Sequence, residues 1–534
     1  MRIAYVNGQV YTGRLPLQQA FAVEDGKFIQ VGSNEEILSQ TAGETVDLKG
    51  NFVCAGFNDS HMHLLNYGQV LSIARLADHT SSLEEMLSCL QETPPGRGGW
   101  ILGRGWNQDL FSGPHEMPTR YDLDRVSTQH PVCAVRACGH ALSVNTKALE
   151  LLGITAQTPQ MEGGCIVMED GVPTGIFLDN AMELVMNQIP QPDKEEVKTM
   201  LRRGCQALNR RGITSCHSDD YSTFQNLPWQ TVNEAYRELE AAGELTVRVY
   251  QQANFTTAQA LRDFLMAGNC TGTGSDFFRV GPLKMLGDGA LGARTAFLSV
   301  PYADNPETKG LCVFPPEVFD EMISLANEAG MQVAIHCIGD ACLDLVLNSI
   351  EKALISHPRK DHRHGIVHCQ ITRADQLERI NRLGLHIYAQ TIFLDYDIHI
   401  VHDRAGKALA QTSYRWKTLM AGGSTVSNGS DCPVEWPNVL GGIQCAVTRR
   451  DLKGCDPYLP EEAFTVEEAL NSFTQGGAWA SFEEREKGCI APGMMADFVV
   501  LGENPFEVPL QEINRIPVLA TYLAGRPVYS VEER

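Results

Sequence analysis

Eight short apolar runs alternate with amphipathic helical stretches along the middle of this chain, and this alternation limits the fold more than any other feature. Apolar strands joined by helices are typical of α/β proteins with a parallel sheet, and eight strands match a closed (β/α)8 barrel of the TIM type. A helix expected over 316–329 should end at Gly330 in a left-handed cap. The predicted strands are 57–63, 212–217, 246–251, 280–285, 332–336, 365–369, 386–390 and 425–431.

The connection after the first predicted strand is far too long for a single helix. It carries its own apolar runs, at 100–103, 131–135, 163–167 and 173–176. We therefore predict a large inserted subdomain over residues 65–210 that caps the mouth of the barrel. The barrel itself, interrupted by this insertion, is predicted over residues 56–486.

Both ends of the chain contain short β-like runs separated by turns. Asn7-Gly8 and Asp25-Gly26 stand between apolar runs and are strong hairpin signals, so they predict a small antiparallel sheet near the start. Residues 487–534 show the same pattern of short runs. Because the two ends of a domain often lie close together, we predict that 1–55 and 487–534 form one composite β-sandwich.

Charge and cysteine usage narrow the class of partner. The chain of 534 residues has 43 basic and 65 acidic side chains, a net charge of -22, and we find no basic run that would favour nucleic acid or anionic membranes. No apolar stretch is long enough to span a membrane, the start lacks the apolar core of a signal peptide, and the 16 cysteines show no C-x-x-C pair. We therefore expect a cytoplasmic protein with a small-molecule substrate, no nucleic-acid or membrane partner, and a homo-oligomeric state, as a dimer.

The sharpest local feature is an H-x-H motif at the end of the first predicted strand, formed by His61 and His63. Side chains alternate along a strand, so both imidazoles point the same way and can bind one cation. Two histidines at this spacing are often incidental, so the weight of the motif depends on the other strand ends. Those of the fourth, fifth, sixth and eighth strands carry Lys284, His336, His368 and Asp431.

All of these side chains lie at the carboxyl ends of strands, which is where barrel enzymes build their active sites. Imidazoles and a carboxylate around one open position suit Zn²⁺ or a similar divalent ion, which lowers the pKa of a bound water to about 7. Any one of them alone is more readily explained as a core histidine or a salt-bridged aspartate. Together they predict a metal-dependent active site.

As a set, the motifs resemble the amidohydrolase superfamily and, within it, the amidohydrolase 3 group of YtcJ-like metal-dependent hydrolases. The resemblance extends over nearly the whole length and implies the (β/α)8 barrel, the composite sandwich and the large insertion after the first strand. The matching segments are D-x-H-x-H at 59–63, KMLGDGALGAR at 284–294, IHCIGD at 335–340, GSDCPV at 429–434 and KGCIAPGMMAD at 487–497.

The resemblance also implies a set of metal ligands. One divalent ion, Zn²⁺ in the first instance, would be bound by two histidines and an aspartate, and two further histidines would bind or approach a second ion. The first set is His61, His63 and Asp431, and the second is His336 and His368.

Lys284 would bridge the two ions once CO₂ has carboxylated its amine. A free ammonium is repelled by neighbouring cations, whereas a carbamate offers two oxygens of the right charge. The residues alone leave open a free Lys284 paired with Asp288 or Asp340, and either one or two ions.

The chemistry implied by the resemblance is hydrolysis of a carbon–nitrogen bond in a small molecule, as a non-peptide amide, a formamide or an N-acyl group. In this chemistry a metal-activated hydroxide would attack a carbonyl or amidine carbon, and Asp431 would take the proton from the water and return it to the leaving nitrogen. Two alternatives stay open: a hydrolytic deaminase of a small ring substrate, and a non-catalytic binding protein with this fold. Lys284 favours amide hydrolysis, and the complete ligand set favours an enzyme.

Substrate contacts are less constrained. Arg294, in a glycine-rich loop after the fourth strand, is a candidate to bind a carboxylate or carbonyl oxygen, and equally a candidate for a surface salt bridge. Trp106, His140 and Asp395 match positions expected near the mouth of the barrel, where plain packing would also explain them.

Two further residues near the ligands are notable. Asp59 is a candidate to orient a ligand, or else a strand-end carboxylate that accepts a backbone N–H. Val367 stands immediately before His368, where relatives commonly carry Glu. Because a strand neighbour points to the other face, we expect this difference to affect packing and not metal binding.

Overall fold

The computed structural model describes residues 2–40, 43–138, 140–161, 163–224 and 226–531. The chain divides into two compact units. The first comprises Met1–Leu64, Cys205–Thr223 and Arg237–Arg534, and the second comprises Leu65–Gly204 and Phe224–Tyr236.

Within its described residues, the first unit contains a parallel sheet of eight strands whose spatial order follows the chain. At the seam, the backbone N–H of Asp431 donates to the carbonyl of His61 at 2.8 Å, and that of His63 donates to the carbonyl of Cys432 at 2.8 Å. The sheet is thus a nearly closed barrel of the TIM type, as the alternation of strands and helices predicts. Its strands β1 to β8 are Phe57–Met62, Ile213–Ser218, Arg248–Asn254, Phe278–Leu286, Val333–Cys337, Gly365–His368, His386–Ala389 and Val426–Asn428.

Helices follow the barrel strands. The one after β4, Pro316–Glu328, begins with a proline in its first turn and buries Phe319, Met322 and Ile323 on one face. Gly330 has a φ of +78°, which confirms the predicted left-handed cap. In the described ranges, no helix is both long and apolar enough to cross a bilayer. The other helices from β2 onward are Trp229–Ala241, Ala258–Met266, Asp340–Ser356, Ala374–Leu383, Leu394–Asp397, Val401–Ala410, Trp416–Ala421, Val439–Thr448, Val466–Ser472 and Gln475–Ala480.

Strands from both ends of the chain share an apolar core. Tyr5 and Phe21, from one sheet, pack in one buried cluster with Phe498 and Ala520 from another. The first sheet has the order Lys27–Gly32, Ala20–Glu24, Ile3–Val6, Glu44–Asp47. The second has the order Gln9–Val10, Phe52–Ala55, Phe498–Leu501, Val518–Leu523, Arg526–Ser530, and it therefore joins the two ends of the chain. The helix Asn34–Gln40 follows the strand Lys27–Gly32.

One of the two predicted hairpins near the start is present. Asp25-Gly26 connects the antiparallel strands Ala20–Glu24 and Lys27–Gly32. Both turn residues have positive φ, 49° and 78°, the conformation that this type of tight hairpin requires.

The other predicted hairpin, at Asn7-Gly8, was wrong. The strands on either side of this turn belong to different sheets. The physical reason is that Ile3–Val6 already pairs on both edges, antiparallel with Ala20–Glu24 and parallel with Glu44–Asp47. No edge is left for the strand that follows the turn, so that strand pairs in the second sheet.

The second unit carries a sheet of its own. Val132 and Ala134 belong to one buried apolar cluster and Cys133 to another, so this sheet is covered on both faces. The order of its strands in the described residues is Gly164–Glu169, Val172–Asp179, Ala141–Val144, Val132–Arg136, Ile101–Trp106, Ala74–Arg75. Helices in this region are Leu64–Val70, Leu83–Glu92, Arg120–Asp124, Thr146–Leu152, Glu183–Met186 and Lys194–Asn209. The domain boundaries proposed from the sequence stay predictions.

Candidate metal centre

Three side chains of metal-ligand type meet where β1 ends and the chain leaves β8. Nε2 of His61 lies 3.3 Å from Oδ1 of Asp431, and Nε2 of His63 lies 3.1 Å from the same oxygen. The candidate ligand atoms of the three residues all lie within 4.8 Å of one another. One small cation can therefore contact all three side chains.

Hydrogen bonds decide which nitrogen of each imidazole faces the carboxylate. Nδ1 of His61 donates to Oε1 of Gln252 at 2.8 Å, and Nδ1 of His63 donates to the backbone carbonyl of Asp219 at 2.9 Å. Each ring thus presents Nε2 toward the centre, which is how histidine ligands are commonly oriented. Neither Gln252 nor Asp219 was indicated by the sequence analysis.

Asp431 lies between two groups of imidazoles. Its Oδ1 faces His61 and His63, and its Oδ2 lies 3.9 Å from Nε2 of His368. Burial opposes ionisation, yet the neighbouring imidazoles of His61 and His63 hold the pKa of Asp431 well below its usual range. Its φ of +57° is rare for a residue with a side chain, and such backbone conformations concentrate at functional sites. The structure thus holds an ionised carboxylate in a tight turn.

Close approach of the backbone explains a glycine in this turn. A Cβ on Gly429 would lie 2.5 Å from the backbone nitrogen of His61. Asp59 holds the next residue, since its Oδ1 accepts the backbone N–H of Ser430 at 3.0 Å and its Oδ2 accepts the Ser430 hydroxyl at 2.5 Å. Burial raises the pKa of Asp59 to about 7. Asp59 therefore positions the chain at Asp431 through Ser430.

His336 and His368 form a second pair of imidazoles, with ring centroids 4.4 Å apart. His368 is 1% exposed, and neither of its ring nitrogens has a hydrogen-bond partner among the described residues. Burial and the neighbouring His336 hold the pKa of His368 well below its usual range, so the ring is neutral and keeps a lone pair. A divalent ion would satisfy this buried lone pair, so the residues present fit a metal ion.

Lys284 is buried beside the carboxylate of Asp219. Its Nζ lies 3.6 Å from Oδ2 of Asp219, and both side chains are 2% exposed. The two acids considered from the sequence are engaged elsewhere: Asp288 accepts three backbone N–H groups, and Asp340 lies 2.7 Å from Arg373. The carboxylate neighbour of Lys284 is therefore Asp219 and neither Asp288 nor Asp340.

Two predicted substrate contacts belong to the barrel unit. Arg294 forms a two-pronged ion pair with Asp304, at 3.0 Å and 2.8 Å. Oδ1 of Asp395 accepts the backbone N–H of Leu452 at 2.6 Å. Contacts of Arg294 and Asp395 with a substrate stay predictions.

The other two predicted substrate contacts belong to the second unit. Trp106 is buried, and its indole N–H donates to the carbonyl of Ala134 at 2.9 Å. His140 is exposed, and its Nδ1 lies 3.2 Å from Oδ1 of Asp179. Their roles toward a substrate likewise stay predictions.

Known proteins resemble this chain over almost its whole length. The model of the amidohydrolase family matches residues 44–529. The Bacillus subtilis (strain 168) protein "Putative amidohydrolase YtcJ" is 33% identical, with 96% of each chain covered, and the N-substituted formamide deformylase of Arthrobacter pascens is 26% identical, with 98% of this chain and 97% of that one covered. Among solved structures, an uncharacterized metal-dependent hydrolase from Pyrococcus furiosus matches with a TM-score of 0.78 and 30% identity, over 95% of this chain and 100% of that one. The chain therefore belongs to the amidohydrolase family.

Proposed function

We propose that this chain hydrolyses a carbon–nitrogen bond of a small molecule, in a non-peptide amide, a formamide or an N-acyl group. The observation that carries the proposal is the group His61, His63 and Asp431, whose ligand atoms lie within 4.8 Å of one another. Two relatives support the bond class, since one is named an amidohydrolase and another an N-substituted formamide deformylase.

In this proposal, Nε2 of His61, Nε2 of His63 and Oδ1 of Asp431 would hold one divalent ion, in the first instance Zn²⁺. Two imidazoles and a carboxylate are a common catalytic ligand set for that ion. His336 and His368 would hold a second ion. A bound ion supplies Lewis acidity, because it lowers the pKa of water and polarises the bond to be cleaved.

Asp431 would move the proton. One of its oxygens faces the His61 and His63 pair, and the other faces His368, so the carboxylate is reachable from two sides. It would accept a proton from the attacking water and return it to the leaving nitrogen. The turn that carries Asp431 is held by Asp59 through Ser430, so the carboxylate need not move between the two transfers.

We propose that Lys284 carries a carbamate in the metal-loaded enzyme. Its amine is buried with one carboxylate at 3.6 Å, and a free ammonium there would repel a nearby divalent ion. Native mass spectrometry should detect the mass of one CO₂ on the loaded wild type, absent from Lys284→Ala. An unmodified mass for protein that is fully loaded with metal would contradict the carbamate.

Metal analysis and a substrate screen test the hydrolase itself. Protein purified without chelator should contain roughly one or two equivalents of Zn or a similar ion. The same protein should hydrolyse members of a panel of N-acyl amino acids, N-substituted formamides and short dipeptides. Amide hydrolysis that persists in protein stripped of metal would overturn the proposal.

A further inference from the structure

We propose a further metal site, separate from the centre at β1 and β8, formed by His399, Asp451 and Cys455 and selective for Zn²⁺ or a similar borderline-soft ion. The candidate ligand atoms of these three residues all lie within 4.8 Å of one another. His399 follows the short helix Leu394–Asp397 after β7, whereas the other two lie in the turn after Val439–Thr448, the helix that follows β8. None of the three belongs to the candidate metal centre on β1.

The geometry brings three different donor types together. Nε2 of His399 lies 2.9 Å from Oδ2 of Asp451. Sγ of Cys455 lies 3.4 Å from the backbone nitrogen of Asp451, so the sulfur folds back over the residue that carries the carboxylate. A nitrogen, an oxygen and a sulfur atom therefore surround one small volume.

The turn holds the carboxylate in place. Oδ1 of Asp451 accepts the backbone N–H groups of Lys453, Gly454 and Cys455, at 3.1 Å, 2.6 Å and 2.8 Å. This leaves Oδ2 facing His399. Gly454 has a φ of +95°, a conformation that strongly favours glycine, and it returns the chain toward Asp451.

A second contact ties this turn to the segment that carries His399. The backbone N–H of Leu452 donates to Oδ1 of Asp395, four residues before His399. The two segments, which follow different barrel strands, are thus joined at two points. Little rearrangement is needed for all three donors to bind one ion.

The donor set selects the ion. Imidazole and thiolate ligands suit Zn²⁺, whereas Mg²⁺ and Ca²⁺ prefer sites built from oxygen. A Zn²⁺ ion would balance the charges of the Asp451 carboxylate and a Cys455 thiolate, and the thiol proton would pass to solvent on binding. The His399 side chain is 51% exposed, so an ion can reach the site and a water molecule can complete its coordination.

Cobalt(II) is the probe for this site, because thiolate bound to Co²⁺ gives a strong near-ultraviolet charge-transfer band that imidazole and carboxylate ligands do not give. The full-length double variant His61→Ala/His63→Ala lacks two ligands of the other centre and should keep this band. Adding Cys455→Ser should abolish the band. The matched control Cys489→Ser, another half-buried thiol, should leave it unchanged.

A second variant guards against a folding defect in Cys455→Ser. His399 is largely exposed, so His399→Ala should fold normally and should weaken Co²⁺ binding in the same titration. A band that survives Cys455→Ser, or no band in the wild type at saturating Co²⁺, would overturn the proposed site at His399, Asp451 and Cys455. Neither result would bear on hydrolysis, which depends on the ligands at β1 and β8.

Discussion

The two ends of the barrel differ in how completely their buried polar side chains are paired with other protein groups. Where the strands begin, Arg248 binds both oxygens of Asp497, at 2.6 Å and 3.1 Å, and the two side chains are 4% and 5% exposed. Where the strands end, Lys284 has one carboxylate at 3.6 Å, and the ring of His368 has no hydrogen-bond partner in the described part of the chain.

Buried side chains in this barrel therefore fall into two kinds. A closed pair at the start of the strands has its charge and hydrogen bonds satisfied by protein alone, so its role is structural. At the other end, the buried ring of His368 has neither nitrogen paired in the described part of the chain, so a bound group would be needed to complete it. The same division, with stability at one face and chemistry at the other, is general for barrels of this type.

Asp431→Asn, where the barrel strands end, should have the largest effect, and it should lower turnover. Asparagine cannot accept and return the proton, so kcat should fall by about 10²- to 10⁴-fold. Turnover is measured on the best substrate of the hydrolysis panel, and the circular dichroism spectrum checks the fold. Wild-type turnover in a correctly folded variant would remove the proton-transfer role from Asp431.

Asp497→Asn tests the buried ion pair where the barrel strands begin. It leaves the Arg248 guanidinium buried without its counter-charge, so unfolding in urea should show a loss of about 3–5 kcal/mol. Turnover per folded molecule should stay near the wild-type value, because the pair lies where the strands begin. A variant that keeps the wild-type free energy of unfolding but loses turnover would contradict a structural role for this ion pair.

Gln252→Ala should weaken metal binding without touching a ligand. It removes the acceptor that orients His61 through Nδ1, and loss of such an outer partner typically costs about 10- to 100-fold in metal affinity. Competition with a chelator measures the affinity. Gln252→Glu keeps an acceptor oxygen and serves as the control, so equal weakening in both variants would argue against the orienting role.

Asp397→Asn should give the smallest effect, and one that depends on pH. Burial raises the pKa of Asp397 to about 7, while Tyr414 and Gln370 donate to its Oδ2 at 2.9 Å and 3.0 Å. A raised pKa means that the stability from the protonated form is complete below the unfolded pKa, about 4, and is lost as the pH rises through about 7. Asparagine does not titrate.

The free energy of unfolding of Asp397→Asn, relative to wild type, should therefore rise by about 1.4 kcal/mol between about pH 6 and about pH 8. Urea unfolding of both proteins at the two pH values measures this difference. A difference that does not change with pH, or changes in the opposite direction, would contradict the raised pKa.

The barrel could be predicted because several of its buried strands, such as Val333–Cys337 and Gly365–His368, are largely apolar runs that alternate with helices. The fifth strand, expected at 332–336, is Val333–Cys337, and the sixth, expected at 365–369, is Gly365–His368. The hairpin at Asn7-Gly8 could not be excluded in advance, because turn chemistry is local whereas the occupation of both edges of Ile3–Val6 is not.

In the candidate site, too, contacts between residues far apart in the sequence could not be predicted. His61, His63 and Asp431 could be proposed together because strand ends of a barrel converge on one face. Gln252 gave no signal, since it lies in a strand 191 residues from His61 and meets its ring only in the folded barrel.

The alternation expected at Val367 was wrong. Val367 pairs in register with His336 and packs in a buried cluster with Ala334 and Tyr388, on the face that carries the ligands. The positive φ of His368, 74°, interrupts the alternation between these two neighbours.

The seam between β1 and β8 has a thermodynamic consequence. His63 and Asp431 are 368 residues apart in the chain, yet their side chains meet at 3.1 Å. An ion bound to both would act as a reversible cross-link that closes a very long loop, and such closures restrict the unfolded chain most strongly. Its contribution to stability would grow with the logarithm of the free metal concentration. That concentration would therefore determine how easily the first and last strands of the barrel separate.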